Sequence, residues 1–302
     1  MTHQTIGSSS VGAILGLSPW AGPWDVWAKM HGLVESKSTF ATARGHILEP
    51  AIGAHYAKLY DVDIQKGPEY EENPILGPKA WMHARPDFFV SKGKDRWLVE
   101  IKSTRSFNDL WGPQGTDSIP PHYAAQCVWQ MAVTGDSRCD LAAFATFSDE
   151  FRVYRLNRDM ELEEHIVGLV GAWYKKHIEG GEPPDPDAST ACSQALAARW
   201  KPADRVYIPS DESALKLARE VLESRSQMAE LDKKKRLAEN LLKDKIGEAY
   251  GMEGIATWAP TKGRRTFDRK GFESEHPELA KKYTEQSEPS RTFRFTYTQP
   301  KD

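Results

Sequence analysis

The sequence has 302 residues, enough for one large domain with an appendage or for two domains. Its 39% hydrophobic and 27% charged residues are typical of a soluble globular protein, and no apolar run of about 18 residues predicts a membrane span. Its three cysteines, Cys127, Cys139 and Cys192, argue against a disulfide framework, a CxxC zinc site and a four-cysteine iron–sulfur cluster. The N-terminus lacks the features of a signal peptide, and we expect a cytoplasmic protein.

The formal net charge of −3 conceals an asymmetry along the chain. Residues 1–198 carry 18 Lys and Arg against 25 Asp and Glu, whereas residues 199–302 carry 22 against 18. With the linker EGGEPPDPD and a change of pattern after it, this predicts a core domain over 1–198 and an appendage over 199–302. An acidic domain followed by a mildly basic one is compatible with a nucleic-acid partner but does not demonstrate it.

Helical and strand patterns alternate in the first 198 residues. A capped helix near Ser8, a Pro/Gly loop and a helix from about Pro23 precede a helix over 40–60, in which Pro50 fits only near the start or at a kink. The other predicted elements are strands at 80–90, 97–103, 139–147 and 151–156, and helices at about 119–134 and 159–178. This order predicts an α/β (α+β) fold with a mixed central sheet flanked by helices.

The appendage has a different texture. Residues 210–246 contain no Pro or Gly, and their apolar residues follow an approximate 4-3 spacing. This pattern predicts a long helix, or a helical hairpin bent near DKKKR at 232–236. The tail, from GIATWAP to SRTFRFTYT, is expected to form two strands around a short helical insert.

The stretch WLVEIKST, residues 97–104, has the composition of a buried strand except for Glu100 and Lys102. Because side chains alternate along a strand, these two charges share one face, and Val99 and Ile101 share the other. Burial of a carboxylate or an ammonium is costly unless partners compensate for it. The role of Glu100 and Lys102 therefore depends on which residues lie opposite them.

The partner strand is expected in the preceding run, WMHARPDFFV. The two-residue loop at 93–94 begins with Gly and suits a type II′ turn, and in that hairpin the numbers of paired residues add up to 187. Asp87 then lies opposite Glu100, and Arg85 opposite Lys102. Asp87, Glu100 and Lys102 are thus expected on one face of the hairpin.

Two opposed carboxylates repel each other, and a bound cation is a simple remedy. Ligation by oxygen atoms favours Mg²⁺ or Mn²⁺ over zinc. The alternative is an exposed hairpin whose polar face holds only an ion pair. The dipeptide Pro86-Asp87, in a compatible register, favours the cation site.

Pro86-Asp87 followed by Glu100-x-Lys102 resembles the signature of the PD-(D/E)xK nuclease superfamily. The sequence further resembles the branch that contains lambda exonuclease and the YqaJ-type phage recombinases. IGSSSVGAILGLSPW resembles the opening helix and loop of that branch, RGHILEP its acidic helix ahead of the hairpin, and HYAAQCVWQMAVTG its helix after the hairpin. HPELAKKYT and SRTFRF resemble the distal segment of many YqaJ-type proteins. The resemblance implies a restriction-endonuclease-like core.

The resemblance also implies roles for the residues of the hairpin. Asp87 and Glu100 would ligate the metal with the help of the Ile101 carbonyl. Lys102 would position or activate the attacking water and stabilise charge on the phosphate. Glu49 would contribute at a second metal position, and the alternative for Glu49 is a carboxylate favoured by the dipole of a helix N-terminus.

Two more groups of residues are candidates for this site. Gln126 and Gln130 lie four residues apart, so both can face it. The resemblance favours Gln126 as an active-site residue and supports Gln130 less strongly, the alternative being a polar surface stripe. Trp20 is a candidate for an exposed wedge against DNA, whereas Trp24 and Trp27 are expected in the core.

The serine run at the first helix is a candidate anion site, because helix N-termini bind phosphate. The resemblance implies that Ser9, with Ser8 beside it, binds the 5′-phosphate of DNA. Thr2 stands where the family has an arginine, and His3 or Arg44 are candidates to replace that arginine. The alternative is that Ser8 or Ser9 is an N-cap.

The resemblance implies an alkaline-exonuclease-type enzyme that needs Mg²⁺ and acts in phage-type recombination. Such an enzyme digests linear double-stranded DNA 5′→3′ and leaves 3′ overhangs for a single-strand annealing protein. The resemblance also implies a ring-shaped homotrimer of phage or prophage origin in the bacterial cytosol. The alternatives are another PD-(D/E)xK DNA nuclease, of endonuclease or repair type, and a non-catalytic scaffold that binds DNA ends.

Overall fold

A computed structural model describes residues 4–34, 39–69, 73–200, 207–263, 266–285 and 293–298. The chain forms two compact units, residues 1–200 and residues 201–302. None of the helices within the described ranges combines the length and the apolar composition needed to cross a bilayer. Cys127, Cys139 and Cys192 are free and buried.

The first unit combines helices and strands along its whole length. Its helices are α1 (Ser8–Ile14), α2 (Pro23–Met30), α3 (Phe40–Tyr60), α4 (Pro121–Thr134), α5 (Met160–Tyr174) and α6 (Thr190–Arg199), and a π-helical turn, Lys175–Glu179, continues α5. Its strands are β1 (Ile6–Gly7), β2 (Asp63–Lys66), β3 (Ile75–Leu76), β4 (Met82–Ala84), β5 (Phe88–Lys92), β6 (Asp95–Thr104), β7 (Arg138–Ala145) and β8 (Glu150–Asn157).

A five-stranded mixed sheet lies at the centre of this unit, in the order β2-β5-β6-β7-β8. Strands β6 and β7 are parallel, and the other neighbouring pairs are antiparallel. The connection from β6 to β7 contains α4, because parallel neighbours need a crossover. On one face Tyr56 of α3 shares a hydrophobic cluster with Val99, and on the other Met131 of α4 shares a cluster with Leu98. The predicted mixed sheet flanked by helices is confirmed.

The β5–β6 hairpin has the predicted register. Phe88 pairs with Val99 and Lys92 with Asp95, so that the numbers of paired residues add up to 187. Gly93 in the connecting loop has φ +66°, a conformation that favours glycine. The loop and the alternation of side chains thus fix which residues of the hairpin meet.

The predicted strand over 80–90 is wrong in its extent, since residues 85–87 separate two strands, β4 and β5. Strand β4 belongs to a separate sheet with β1 and β3, and the β5–β6 ladder ends at the pair Phe88–Val99. Pro86 has no N–H group with which to continue a ladder. Arg85 is therefore not paired with Lys102, whereas Asp87 lies one residue beyond the last pair.

Of the two positions expected for Pro50, near the helix start or at a kink, the first is wrong. Helix α3 begins at Phe40, where the Thr39 side chain accepts a hydrogen bond from the Thr42 N–H, and Pro50 lies in its interior. A proline there cannot donate to the carbonyl of His46, four residues earlier. The burial of Ile52 and Tyr56 against the sheet compensates for this lost bond.

The second unit contains one long helix followed by short elements. These are α7 (Glu212–Ile246), β9 (Gly251–Met252), β10 (Ala256–Thr257), α8 (Arg269–Glu275) and α9 (Pro277–Lys282). Asp211 caps α7 at the Ala214 N–H, and the helix runs through 232–236 without a break. The helical-hairpin alternative is therefore wrong.

The expected strand arrangement of the tail is also wrong. Strands β9 and β10 pair with each other ahead of the helical insert and do not enclose it. Residues 293–298 are not in a strand, and residues 290–292 of the same predicted strand lie outside the described residues. With two residues each, β9 and β10 form a minimal hairpin.

We expect Gly12→Ala to lower the free energy of unfolding by about 1–3 kcal/mol, the usual cost of adding a carbon atom to a well-packed core. A Cβ atom on Gly12 would lie 2.8 Å from the His122 Cβ and 3.0 Å from its Cα, so α1 would have to move away from α4. Urea denaturation followed by circular dichroism would measure the change.

The matched control for this prediction is Gly168→Ala in α5, where an added Cβ meets no atom within 4 Å. That substitution should be neutral or stabilising by up to about 1 kcal/mol, because alanine is the better helix former. Equal effects of the two substitutions would show that the approach of α1 to α4 is not tight.

Candidate active site

A cleft of about 1010 Å³ opens in the first unit where β6 meets α1, α3 and α4. Nearly all the candidates from the sequence line it, although they come from six separate segments of the chain. They are Ser8, Ser9, Trp20, Glu49, Asp87, Glu100, Ile101, Lys102 and Gln126. The fold thus gathers in one place the residues that the sequence could only group by motif.

Asp87 is the last residue of the short connection between β4 and β5. Its Oδ2 atom accepts a hydrogen bond from the Ile101 N–H, at 2.7 Å, which fixes the carboxylate at the edge of β6. Burial and the neighbouring Glu100 raise the pKa of Asp87 well above its usual range, and Lys102 opposes them. Glu49 adds to the increase. The predicted convergence of negative charge is therefore present.

Glu100 is almost completely buried, with 2% of its surface exposed, and both of its oxygens are hydrogen-bonded. Its Oε1 accepts from the Lys102 ammonium and from Gln126 Nε2, the latter at 2.6 Å. Its Oε2 accepts from Gln130 Nε2, at 2.7 Å. These donors compensate for the burial of the carboxylate.

Lys102 follows Glu100 on the same face of β6 and lines the cleft. Its ammonium also lies 5.3 Å from the centre of the Tyr123 ring. Burial opposes its charge, but Glu100 and Asp87 outweigh burial and raise the pKa of Lys102. The cleft therefore holds a cation directly beside its carboxylates.

Glu49 lines the cleft from the interior of α3. Its side chain is 20% exposed, and His46 Nδ1 lies 3.8 Å from its Oε2. Because Glu49 is far from the N-terminus of α3, the alternative that the helix dipole explains it is wrong. The position in the cleft is what distinguishes this carboxylate.

The serines at the start of α1 are not N-caps. Gly7 occupies that position, so the N-cap alternative for Ser8 and Ser9 is wrong. Thr2 and His3 lie outside the described residues, and Arg44 is not one of the residues that line the cleft. The predicted replacement of the family arginine by Arg44 therefore gains no support.

The two glutamines differ in their surroundings. Gln126 faces the cleft, whereas Gln130 is fully buried behind Glu100. Gln130 was also a candidate for contact with DNA, and this expectation is wrong because its amide is enclosed by protein. The alternative of a polar surface stripe is wrong for the same reason.

The tryptophans separate into an exposed ring and buried rings. Trp20 is 64% exposed at the cleft, and its ring contacts that of His122 edge-on, at 4.9 Å between centroids. Trp24 and Trp27 are buried in a cluster with Cys192 of α6. Both expectations about their exposure are confirmed.

His83 lines the cleft, although the sequence analysis did not select it. Its ring lies where a Cβ on Gly7 would be, with Nε2 at 2.7 Å from that position, so Gly7 makes room for it. Burial and the neighbouring Arg85 lower the pKa of His83. The alternation of His83, Arg85 and Asp87 along the chain was the available signal, because residues two apart can share a face.

Comparison with known proteins finds a family that resembles the first part of this chain. Residues 1–137 match the model of the YqaJ-like viral recombinase domain. The matched residues include α1, the β5–β6 hairpin and α4, and therefore every residue of the cleft.

A second comparison shows that the likeness extends beyond residue 137 along most of the chain. The protein named Uncharacterized protein YqaJ, from Bacillus subtilis (strain 168), is 24% identical over 293 residues, which cover 93% of this chain and 88% of that protein. The resemblance to YqaJ-type proteins that the motifs predicted is thereby confirmed.

Two solved exonuclease structures are also similar. The alkaline exonuclease LHK-Exo from Laribacter hongkongensis is 21% identical, with a TM-score of 0.42, over 58% of this chain and 89% of that one. The phage related exonuclease from Haemophilus somnus 129PT is 13% identical, with a TM-score of 0.40, over 60% of this chain and 97% of that one.

We expect Asp87→Asn to raise the free energy of unfolding of the metal-free protein near neutral pH, because a carboxyl group whose pKa is raised by folding destabilises the folded state when it is charged. Asparagine keeps an oxygen for the Ile101 N–H but removes the charge that Glu100 and Glu49 repel. Urea denaturation in EDTA would measure the difference.

The pH dependence of this effect has a defined sign. Folded Asp87 keeps its proton to a higher pH than unfolded Asp87, so wild-type stability falls as pH rises from the ordinary aspartate range towards the raised pKa. The advantage of asparagine should grow across that window and vanish below about pH 4. Asp95→Asn, at the exposed start of β6, is the matched control. A variant less stable than wild type at neutral pH would contradict the repulsion.

Proposed function

We propose that this protein is a metal-dependent DNA exonuclease that acts in recombination. The observation that carries the proposal is the meeting of Asp87, Glu100 and Lys102 in one cleft, within residues that match the model of a viral recombinase domain. Two carboxylates beside a cation are the groups that hydrolysis of a phosphodiester needs when a metal is present.

The residues of the cleft fit a divalent cation of the Mg²⁺ type, which Mn²⁺ would replace. Within the described parts of the chain, no three His, Cys, Asp or Glu side chains form a complete metal cage. Mg²⁺ commonly needs only one or two carboxylates and completes its shell with water and phosphate oxygens. Asp87, Glu100 and the Ile101 carbonyl would hold it, and Glu49 is placed for a second position. The bound metal would lower the pKa of a water and neutralise phosphate charge.

The side chains around the carboxylates have separate tasks in this proposal. Lys102 shares Glu100 Oε1 with Gln126, so its ammonium can turn to a phosphate oxygen while Gln126 keeps that carboxylate oxygen bonded. There it would stabilise the charge that develops on the phosphate. The Ile101 N–H holds Asp87 in place throughout.

The substrate is proposed to be linear double-stranded DNA, digested 5′→3′ to leave 3′ single-stranded overhangs. Ser8 and Ser9 lie in the same cleft as the carboxylates and would contact the 5′-terminal phosphate. Trp20 offers an exposed ring at the cleft on which a base can stack. The proposed setting is the cytosol of a bacterial host, with a single-strand annealing protein as partner and a homotrimer as the assembly.

Incubation with Mg²⁺ and linear duplex DNA should yield digestion from the ends, faster with a 5′-phosphate than with a 5′-hydroxyl, and no cutting of closed circular DNA. EDTA should abolish the reaction. Lys102→Ala should slow it on the order of 10²-fold or more, as expected for loss of a charge at the reacting phosphate. Gel assays with DNA labelled at either end would measure rate and direction.

The control is Lys94→Ala, which removes an exposed lysine from the loop of the same hairpin and should leave the rate unchanged. Cutting of the closed circle would instead indicate an endonuclease. DNA binding of equal strength with and without EDTA, and no cutting with Mg²⁺ or Mn²⁺, would indicate a non-catalytic scaffold for DNA ends.

A further inference from the structure

Gln130 lies behind the cleft, where it contacts Glu100 from the side opposite to the substrate space. It is 0% exposed and belongs to α4, one turn after Gln126. Its Nε2 donates to Glu100 Oε2 at 2.7 Å. A fully buried amide that donates to a buried carboxylate fixes the position of that carboxylate.

The two oxygens of Glu100 have different partners. Oε1 is bonded to Lys102 and Gln126, both of which line the cleft and are accessible to a substrate. Oε2 is bonded to Gln130, which the substrate does not reach. Because Gln130 is enclosed by protein, its bond to Oε2 does not depend on what Lys102 and Gln126 contact in the cleft.

A cysteine on β7 contacts the oxygen of the Gln130 amide. The Cys139 Sγ lies 3.9 Å from Gln130 Oε1, the range of a weak thiol hydrogen bond. Cys139 is on β7 opposite Leu98, and both lie in the cluster under α4. A flipped amide would bring its oxygen against the Glu100 carboxylate, so the thiol contact favours the productive orientation.

We propose that Gln130 is a positioning residue for the metal site and that Cys139 orients its amide. Gln130 holds Glu100 in the orientation that a divalent cation requires, and it does so without contact to DNA or metal. This inference rests on the proposed function, because it assigns to Glu100 the role of a metal ligand. Groups that orient a metal ligand typically change metal affinity by about 10–100-fold when they are removed.

The deciding variant is Gln130→Met, which keeps a side chain of similar length but has no amide. We expect the half-saturating Mg²⁺ concentration for digestion to rise tenfold or more, with the rate at saturating Mg²⁺ within a few-fold of wild type. In the absence of DNA, the rise in melting temperature that Mn²⁺ causes should need a correspondingly higher concentration. A purely structural role would lower the melting temperature in EDTA and leave both midpoints unchanged, and that result would overturn the proposal.

A second pair of variants tests the thiol and decides the case if Gln130→Met does not fold. Cys139→Ala should raise the half-saturating Mg²⁺ concentration several-fold, whereas Cys139→Ser, which keeps a donor, should remain near wild type. Cys192→Ala is the matched control, because it removes a buried thiol from another cluster. Identical metal dependence of Cys139→Ala and wild type, in a folded protein, would overturn the proposal.

These measurements separate the inference from the function on which it rests. Wild-type protein that neither digests DNA nor changes its melting temperature with Mn²⁺ would overturn both. Wild-type protein that does both, together with a folded Gln130→Met variant of the same metal dependence, would overturn the inference alone.

Discussion

The repulsion between Asp87 and Glu100 is the constraint on which the rest of the first unit depends. Two carboxylates that share a partly buried cleft destabilise the fold unless donors surround them. The donors come from two elements: the Ile101 N–H and the Lys102 ammonium from β6, and the Gln126 and Gln130 amides from α4. Strands β5 and β6 and helix α4 therefore have to be in place before the Asp87–Glu100 pair is tolerated.

The topology of the sheet explains how one helix can serve this purpose. Since β6 and β7 are parallel, the chain must cross over between them, and α4 of this crossover covers the face of β6 that carries Glu100. Helix α3 covers the opposite face and contributes Glu49 at the border of the cleft. Glu49 from α3 and the Gln126 amide from α4 thus line the same cleft beside β6. Hydrophobic clusters lie on both faces of the sheet.

Much of this site could be predicted from the sequence, because a two-residue loop and the alternation of strand residues fix a hairpin register. The same rules could not show that residues 85–87 break the strand, since β4 is diverted by its pairing with β1, which is distant in sequence. The helix-dipole alternative for Glu49 was wrong because Pro50, a residue type that often marks a helix start, lies in the interior of α3. The burial of Gln130 was missed because two glutamines four residues apart look alike until the sheet beneath them is known.

The register of the β5–β6 hairpin limits how this protein can vary in evolution. An insertion or deletion of one residue within either strand would turn every following side chain to the opposite face, so Asp87 and Glu100 would no longer face the same cleft. A change of length at residues 93–94 would leave the pairing from Phe88 to Val99 intact, because the loop lies outside the ladder. Among homologues, differences in length should therefore collect at that loop, while the spacing from Asp87 to the end of β5 and from the start of β6 to Lys102 stays constant.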